Sequence, residues 1–510
     1  MTRYASYFRA LATGYGLLAV NIAYSLAMVP LTLTYLGKEA FGLWMLIMQI
    51  GTVVQLADAG MTGALNRIFM DYKDDKRSDR YRQTFYTMWL AFTLLGAVII
   101  LLIHLLAPWL AHWLGIPPKI HADFTSVLIA YGWVIGFTFG LKPFTMLPFV
   151  HQRTDLLNLV SATTLVLGFV VLWSALKAGW GLWALMAGII AGQLLLTVSV
   201  VWICFAKGYL PPPSTGKRLS RAAFIDVFDY GKDRMLITIG FTILQASPAF
   251  LITRLLGLEA NAVWAVVTRV NQVCLLIIGK IPDMGYPALA EMHVRGEHDL
   301  LRLRFNHLLT LGCAGGVLCA VGIAACNRDF VSLWTAGRIQ STPWLDAMLG
   351  LWFITLILQK FLYVPASIAR NIKDIRFYYL LESVAVVALS ILALGPGQQL
   401  WMMAAIFSTA SLLLTIPGSV LKSARVLDCS RSALLQPAGR IGCRVIIPCV
   451  ALLAVFPLLP MSTEWWAFSL KSLAVGLLVT ACLATLPDVR QILCEARNRF
   501  ALILARRRTA

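Results

Sequence analysis

The chain has 510 residues, 59% of them hydrophobic and only 13% charged, with a mean hydropathy of +0.76. A soluble globular chain carries about 25% charged residues, so this one cannot clothe a water-facing surface, and a soluble catalytic domain is excluded. The net charge of +19 is read as positive loops held on one side of a membrane, not as a nucleic-acid footprint.

The apolar residues fall in blocks of the ~20 residues that a ~30 Å hydrocarbon core demands of a helix. The alternating pattern of a transmembrane barrel is missing. Expected spans run over 13–35, 40–63, 84–107, 122–149, 155–176, 180–206, 231–253, 260–289, 306–327, 343–369, 377–396, 399–421, 442–460 and 464–486. The first block is too long for the core of a secretion signal, so it is read as a retained span. The fold class is an all-α polytopic membrane protein of about fourteen transmembrane helices, in two parallel six-helix lobes plus two C-terminal helices. The expected parts are an N-terminal lobe (1–206), a cytoplasmic linker holding Pro211-Pro212-Pro213 (207–230), a second lobe (231–421), a second cytoplasmic linker (422–441), and two extra helices with a basic tail (442–510). Ile492, Leu493, Phe500 and Ile503 among arginines fit a tail helix lying on anionic lipid.

Lys and Arg counts test this order, because cytoplasmic loops retain the positives. With the N-terminus inside, the inside segments hold 32 and the outside loops 6. A missed or extra helix would invert the bias downstream. Both termini are therefore expected in the cytoplasm.

The chain repeats itself. Leu36-Gly37-Lys38-Glu39-Ala40 precedes Trp44, and Leu256-Gly257-Leu258-Glu259-Ala260 precedes Trp264. Further on, Asp58-Ala59-Gly60 is echoed by Asp283-Met284-Gly285. Each copy falls at the turn between the first two helices of a six-helix set. An even number of helices gives both sets the same orientation, and transport sites generally lie between such repeats near the midplane.

The segment Thr32-Leu33-Thr34-Tyr35-Leu36-Gly37-Lys38-Glu39-Ala40-Phe41-Gly42-Leu43-Trp44, with Leu56-Ala57-Asp58-Ala59-Gly60 and Leu65-Asn66-Arg67, resembles the polysaccharide transporter family. These are the O-antigen and exopolysaccharide repeat-unit flippases of bacteria, in the superfamily that also holds lipid II flippases and multidrug extruders. Residues 10–75 carry the specific likeness; the rest is alike in layout. The resemblance implies a V-shaped, two-lobed bundle in the inner membrane that opens to alternate sides. It implies a polyprenyl-diphosphate-linked oligosaccharide as substrate, a coupling ion (H+ or Na+) in place of ATP, and a polysaccharide polymerase and glycosyltransferases as further partners. A lipid II flippase and an ion-coupled extruder of organic cations are the alternatives.

A diphosphate crossing hydrocarbon calls for cationic contacts, and charges inside spans face a cavity or a partner because they are costly in lipid. The in-span cations are Lys142, Arg269, Lys280, Lys360 and Lys471. Arg269 and Lys280 are the first candidates for the anionic head group, with Lys142 and Lys360 next; Lys471, in an extra helix, is set aside. Two of these have a second reading: Lys280 as a snorkelling stem, and Lys142 beside Pro143 as the mark of a broken helix. Asp58 and Asp283, at echoed positions, and Glu382 are the candidate coupling carboxylates. Asp58 and Asp283 have an alternative role, bonding backbone beside Gly60 and Gly285. Pro248, with Gln245 a turn before it, is the hinge candidate.

Enzyme signatures fail. Gly208 lies too far ahead of Gly216-Lys217-Arg218 for a phosphate loop, and His151 and His293 are isolated. The ten cysteines form no CxxC pair, so neither a disulfide framework nor a metal site is expected, and no cofactor.

Overall fold

The computed structural model describes residues 3–58, 60–72, 78–211, 219–369, 373–395, 399–442, 461–487 and 489–491. Among the described residues all regular structure is helical, as it must be where no water is present to satisfy backbone amides. The first part comprises α1 (Arg3–Val54), a 3-10 turn (Gln55–Asp58), α2 (Met61–Tyr72), α3 (Asp79–Trp113), α4 (His121–Val150), α5 (Thr154–Lys177), α6 (Trp183–Ala206) and α7 (Arg221–Leu256). Then come α8 (Leu258–Val267), α9 (Arg269–Val294), α10 (His298–Trp334), α11 (Pro343–Ile368) and α12 (Lys373–Ala393). After these, α13 (Trp401–Ala410) passes through a π-turn (Ser411–Thr415) into α14 (Ile416–Val426). A helix over 431–442, α15, and α16 (Trp465–Ala484) complete the described chain.

Twelve described stretches are long and apolar enough to cross a bilayer. The protein is a multi-pass membrane protein. The first stretch, Ala12–Asp58, holds the expected span 13–35 and most of the span 40–63, joined at Gly37. Gly37 has φ 78° and ψ −179°, and its echo Gly257 has φ 93° and ψ 173°. Side chains rarely tolerate that conformation, so the repeat preserves a backbone shape as well as a sequence. The expected span 442–460 and the tail beyond 491 lie outside the described residues. Leu101 and Leu105 of α3 and Trp202 and Phe205 of α6 are exposed, which suits hydrocarbon and no aqueous surface.

Three expectations change in detail. The second span stops at Asp58, short of 63, because Gly60 takes φ 76° and α2 starts anew. The span over 260–289 runs further, Leu258–Val294, with a kink at Thr268, where ψ is −2°. α4 continues through both Pro143 and Pro148, so Lys142 does not mark a broken helix.

The chain packs as two units, Met1–Ala262 and Val263–Ala510. In the first, α3 and α4 touch at glycines: a Cβ on Gly96 would sit 2.3 Å from the Gly136 carbonyl oxygen. Small residues let helix backbones approach where lipid offers no hydrophobic drive. Tyr81, Phe92, Phe124 and Phe139 of these helices are fully buried, and the Phe92 and Phe139 rings meet across the pair, 6.4 Å between centroids. The Asn158 amide of α5 donates to the Ala10 carbonyl of α1 (3.3 Å), and Asn261 of α8 donates to the Gly42 carbonyl (2.9 Å). In the second unit, Phe361 of α11 lies across Gly312 of α10. The Lys471 ammonium ties α16 to Asp329 of α10 at 2.9 Å, beside an aromatic cluster of Phe330, Trp465 and Phe468.

Candidate functional site

Each unit pairs one echoed aspartate with a lysine. In the first, the Lys142 ammonium of α4 stands 3.2 Å from Asp58 Oδ1, and both side chains are mostly buried, at 15% and 19% exposure. The 3-10 turn delivers Asp58 to that point. The same oxygen accepts from the Thr62 hydroxyl (2.6 Å) and the Thr62 amide (3.3 Å). Asp58 therefore caps α2 and pairs with a lysine at once. Lys142 also lies over the Phe139 ring, 4.0 Å from its centroid, where the π-face steadies a desolvated cation. The lysine, Thr138, Thr145, Gln193 and Thr197 line a cleft of about 50 Å³ between α4 and α6.

In the second unit, the Lys360 ammonium of α11 lies 3.5 Å from Asp283 Oδ2 of α9. This pair is more open, at 36% and 56% exposure. Gly279 makes the approach feasible, since a Cβ there would meet the lysine ammonium at 2.6 Å. Tyr286, one turn beyond Asp283, donates to the Ser367 carbonyl at 3.3 Å. Both lysines precede a proline in the fourth helix of their set, Pro148 in α4 and Pro365 in α11. The two pairs are thus counterparts in element as well as in chemistry.

The other candidates are placed differently. Arg269 opens α9 and donates to Gln272 Oε1 at 2.8 Å. Lys280, which follows Gly279, is exposed, and no ion pair to it is found among the described residues. Gln245 is exposed and Pro248 buried in α7, which runs through the proline unbroken. Outside the spans, Arg153 donates to Asp155 at 3.1 Å, and that bond raises the guanidinium above its ordinary pKa.

Glu382 of α12 is 1% exposed, and its hydrogen-bond partners among the described residues are neutral donors. Gln359 Nε2 reaches both carboxylate oxygens at 3.0 Å, and the Ser411 and Thr415 hydroxyls of the π-turn complete the set. π-turns recur at functional positions because they re-aim side chains within a helix. Two further groups escape sequence reasoning. Thr62 supplies the second half of the Asp58 cap, and its signal was the Asp-x-x-x-Thr spacing around Gly60. Asn327 and Asp346 form a buried network discussed below, and its signal was polar residues inside apolar runs.

The family described as "Polysaccharide biosynthesis protein" matches residues 35–333, more than half of the chain. No curated protein matches in sequence. Among solved structures, the lipid II flippase MurJ in an inward closed conformation superposes with a TM-score of 0.65 at 14% identity, covering 92% of this chain and 98% of that one. An inward-facing multidrug resistance transporter of the MATE family gives 0.65 at 12% identity, over 81% and 95%. A transporter of the same MOP superfamily from Pyrococcus furiosus, titled for the reverse polarity of its binding pocket, gives 0.60 at 12%, over 83% and 96%. At these identities the likeness is one of fold. A polytopic helical chain with this fold, matched over that span, belongs to the polysaccharide biosynthesis protein family.

Proposed function

We propose that the protein is a flippase that carries polyprenyl-diphosphate-linked oligosaccharide repeat units across the bacterial inner membrane, by alternating access, for O-antigen or exopolysaccharide assembly. The observation that carries the reading is the matched pair of lysines, Lys142 with Asp58 and Lys360 with Asp283. A lysine held by a carboxylate is kept charged inside hydrocarbon while no anion is bound. A diphosphate competes with the carboxylate for the ammonium, so the lysine changes partner instead of losing one. Arg269 offers a third cation at the head of α9. Membership of a polysaccharide biosynthesis family supports a glycan-linked substrate over a drug. Glu382, ringed by neutral donors, is the carboxylate best placed to exchange a proton with the cycle, and Pro248 is the proposed hinge of α7.

The test is flipping in liposomes that contain the purified full-length protein, with a labelled polyprenyl-diphosphate oligosaccharide scored by an impermeant glycan-modifying enzyme. Protein-dependent crossing that falls in Arg269→Ala and recovers in part in Arg269→Lys is expected. Normal crossing in Arg269→Ala would remove that residue from the site. Transport of a cationic dye without lipid crossing would replace the reading with that of an extruder.

A further inference from the structure

Three buried oxygens in the second unit meet no donor among the described residues: Asp346 Oδ2, Asn327 Oδ1 and Asn271 Oδ1. Their residues are 1%, 2% and 3% exposed. The remaining atoms of the same groups are hydrogen-bonded across neighbouring helices. Asn327 Nδ2 of α10 donates both to Asp346 Oδ1 of α11 (2.7 Å) and to the Val267 carbonyl (3.1 Å), at the end of α8 where the helix kinks. The Ser341 hydroxyl also donates to Asp346 Oδ1 at 2.7 Å. Asn271 follows Val267 by one turn, and its Nδ2 donates to the Leu349 carbonyl (3.0 Å), one turn beyond Asp346. These bonds fix the sense of both amides, because a flip would set oxygen against a carbonyl.

A buried acceptor left without a donor is destabilising, and here three lie on α9, α10 and α11, whose side chains bond one another and the backbone beside the Thr268 kink. One carboxylate with neutral amide oxygens is a hard, singly charged ligand set, suited to a monovalent cation and short of the carboxylates a divalent ion recruits. Half-helix ends at such kinks are a recurrent place for ions in transporters. The neighbouring charges do not fill the role. Asp329 is taken by Lys471 at 2.9 Å, and Arg328, close enough to act on Asp346 by charge, donates to neither of its oxygens.

We propose that Asp346, Asn327 and Asn271 form a binding site for a monovalent cation of the Na+ type at the Thr268 kink. The site is distinct from the two lysine pairs and from Glu382. The claim concerns binding and stands whether or not the flipping assay succeeds.

The experiment is equilibrium binding of radioactive sodium to the purified full-length protein, with choline holding ionic strength constant and K+ as competitor. Saturable binding is expected, weakened at least about tenfold in Asp346→Asn, with monodisperse elution reporting folding. Asn271→Ala serves as the second variant should the first not fold, and a similar weakening is expected. Absence of saturable binding to the folded wild type would overturn the proposal and leave a neutral acid or a water at the network. Undiminished binding in the folded variants would overturn it too, as would loss in Glu382→Gln with retention in Asp346→Asn.

Discussion

Lys142 and Asp58 lie 84 residues apart in sequence and 3.2 Å apart in space, with the Phe139 ring beneath the ammonium. A charge pair this enclosed gains little net stability from forming and loses much from being halved, since the surviving charge has no water to turn to. In a double-mutant cycle, Asp58→Asn and Lys142→Met are each expected to lower thermal stability, and the double variant to recover part of the loss. The coupling energy is expected at about 1–3 kcal/mol. Additive losses would mean that the two side chains do not depend on each other.

The Lys360–Asp283 pair is exposed enough for solvent to screen it, so its stabilising effect is small, under about 1 kcal/mol. Lys360→Ala is therefore expected to leave the melting temperature nearly unchanged while flipping falls by about tenfold or more, about 1.4 kcal/mol. A fall in stability with normal flipping would reverse the assignment of this lysine.

Gly279 tests position separately from charge. An alanine Cβ would meet the Lys360 ammonium at 2.6 Å, and the flexible end of that side chain can yield. Gly279→Ala is expected to fold normally and to flip more slowly, because Lys360 is moved off Asp283 with its charge intact. Wild-type flipping rates would show that the lysine need not sit where the structure places it.

At Gly42 the obstacle is backbone. A Cβ would lie 2.0 Å from the Leu258 carbonyl oxygen, and Asn261 already binds the Gly42 carbonyl. Gly42→Ala is expected to destabilise the protein by about 1–3 kcal/mol, read as a lower melting temperature in detergent. An unchanged melt would mean that α1 and α8 separate without cost.

Lys471 has a structural part. Its removal in Lys471→Met strands the nearly buried Asp329 carboxylate, and a loss of about 3 kcal/mol is expected. Flipping per folded molecule should stay at the wild-type level. A selective loss of flipping would instead bring α16 into the transport cycle.

The helical spans within the described residues and the internal repeat were legible in the sequence because hydropathy and turn glycines act over a few residues. Gly37 and Gly257 could be matched by eye, and their shared positive φ follows from a glycine that each turn requires. The charged residues were legible only as a set. Sequence reasoning put Lys280 ahead of Lys142 and Lys360, yet Lys280 is exposed while the other two face the echoed aspartates. Nor does spacing announce that Asn327 bridges Asp346 and Val267, or that a π-turn brings Ser411 and Thr415 to Glu382. A partner across helices is decided by the rotation and depth at which two helices pack, and that register depends on every side chain and glycine in the interface at once.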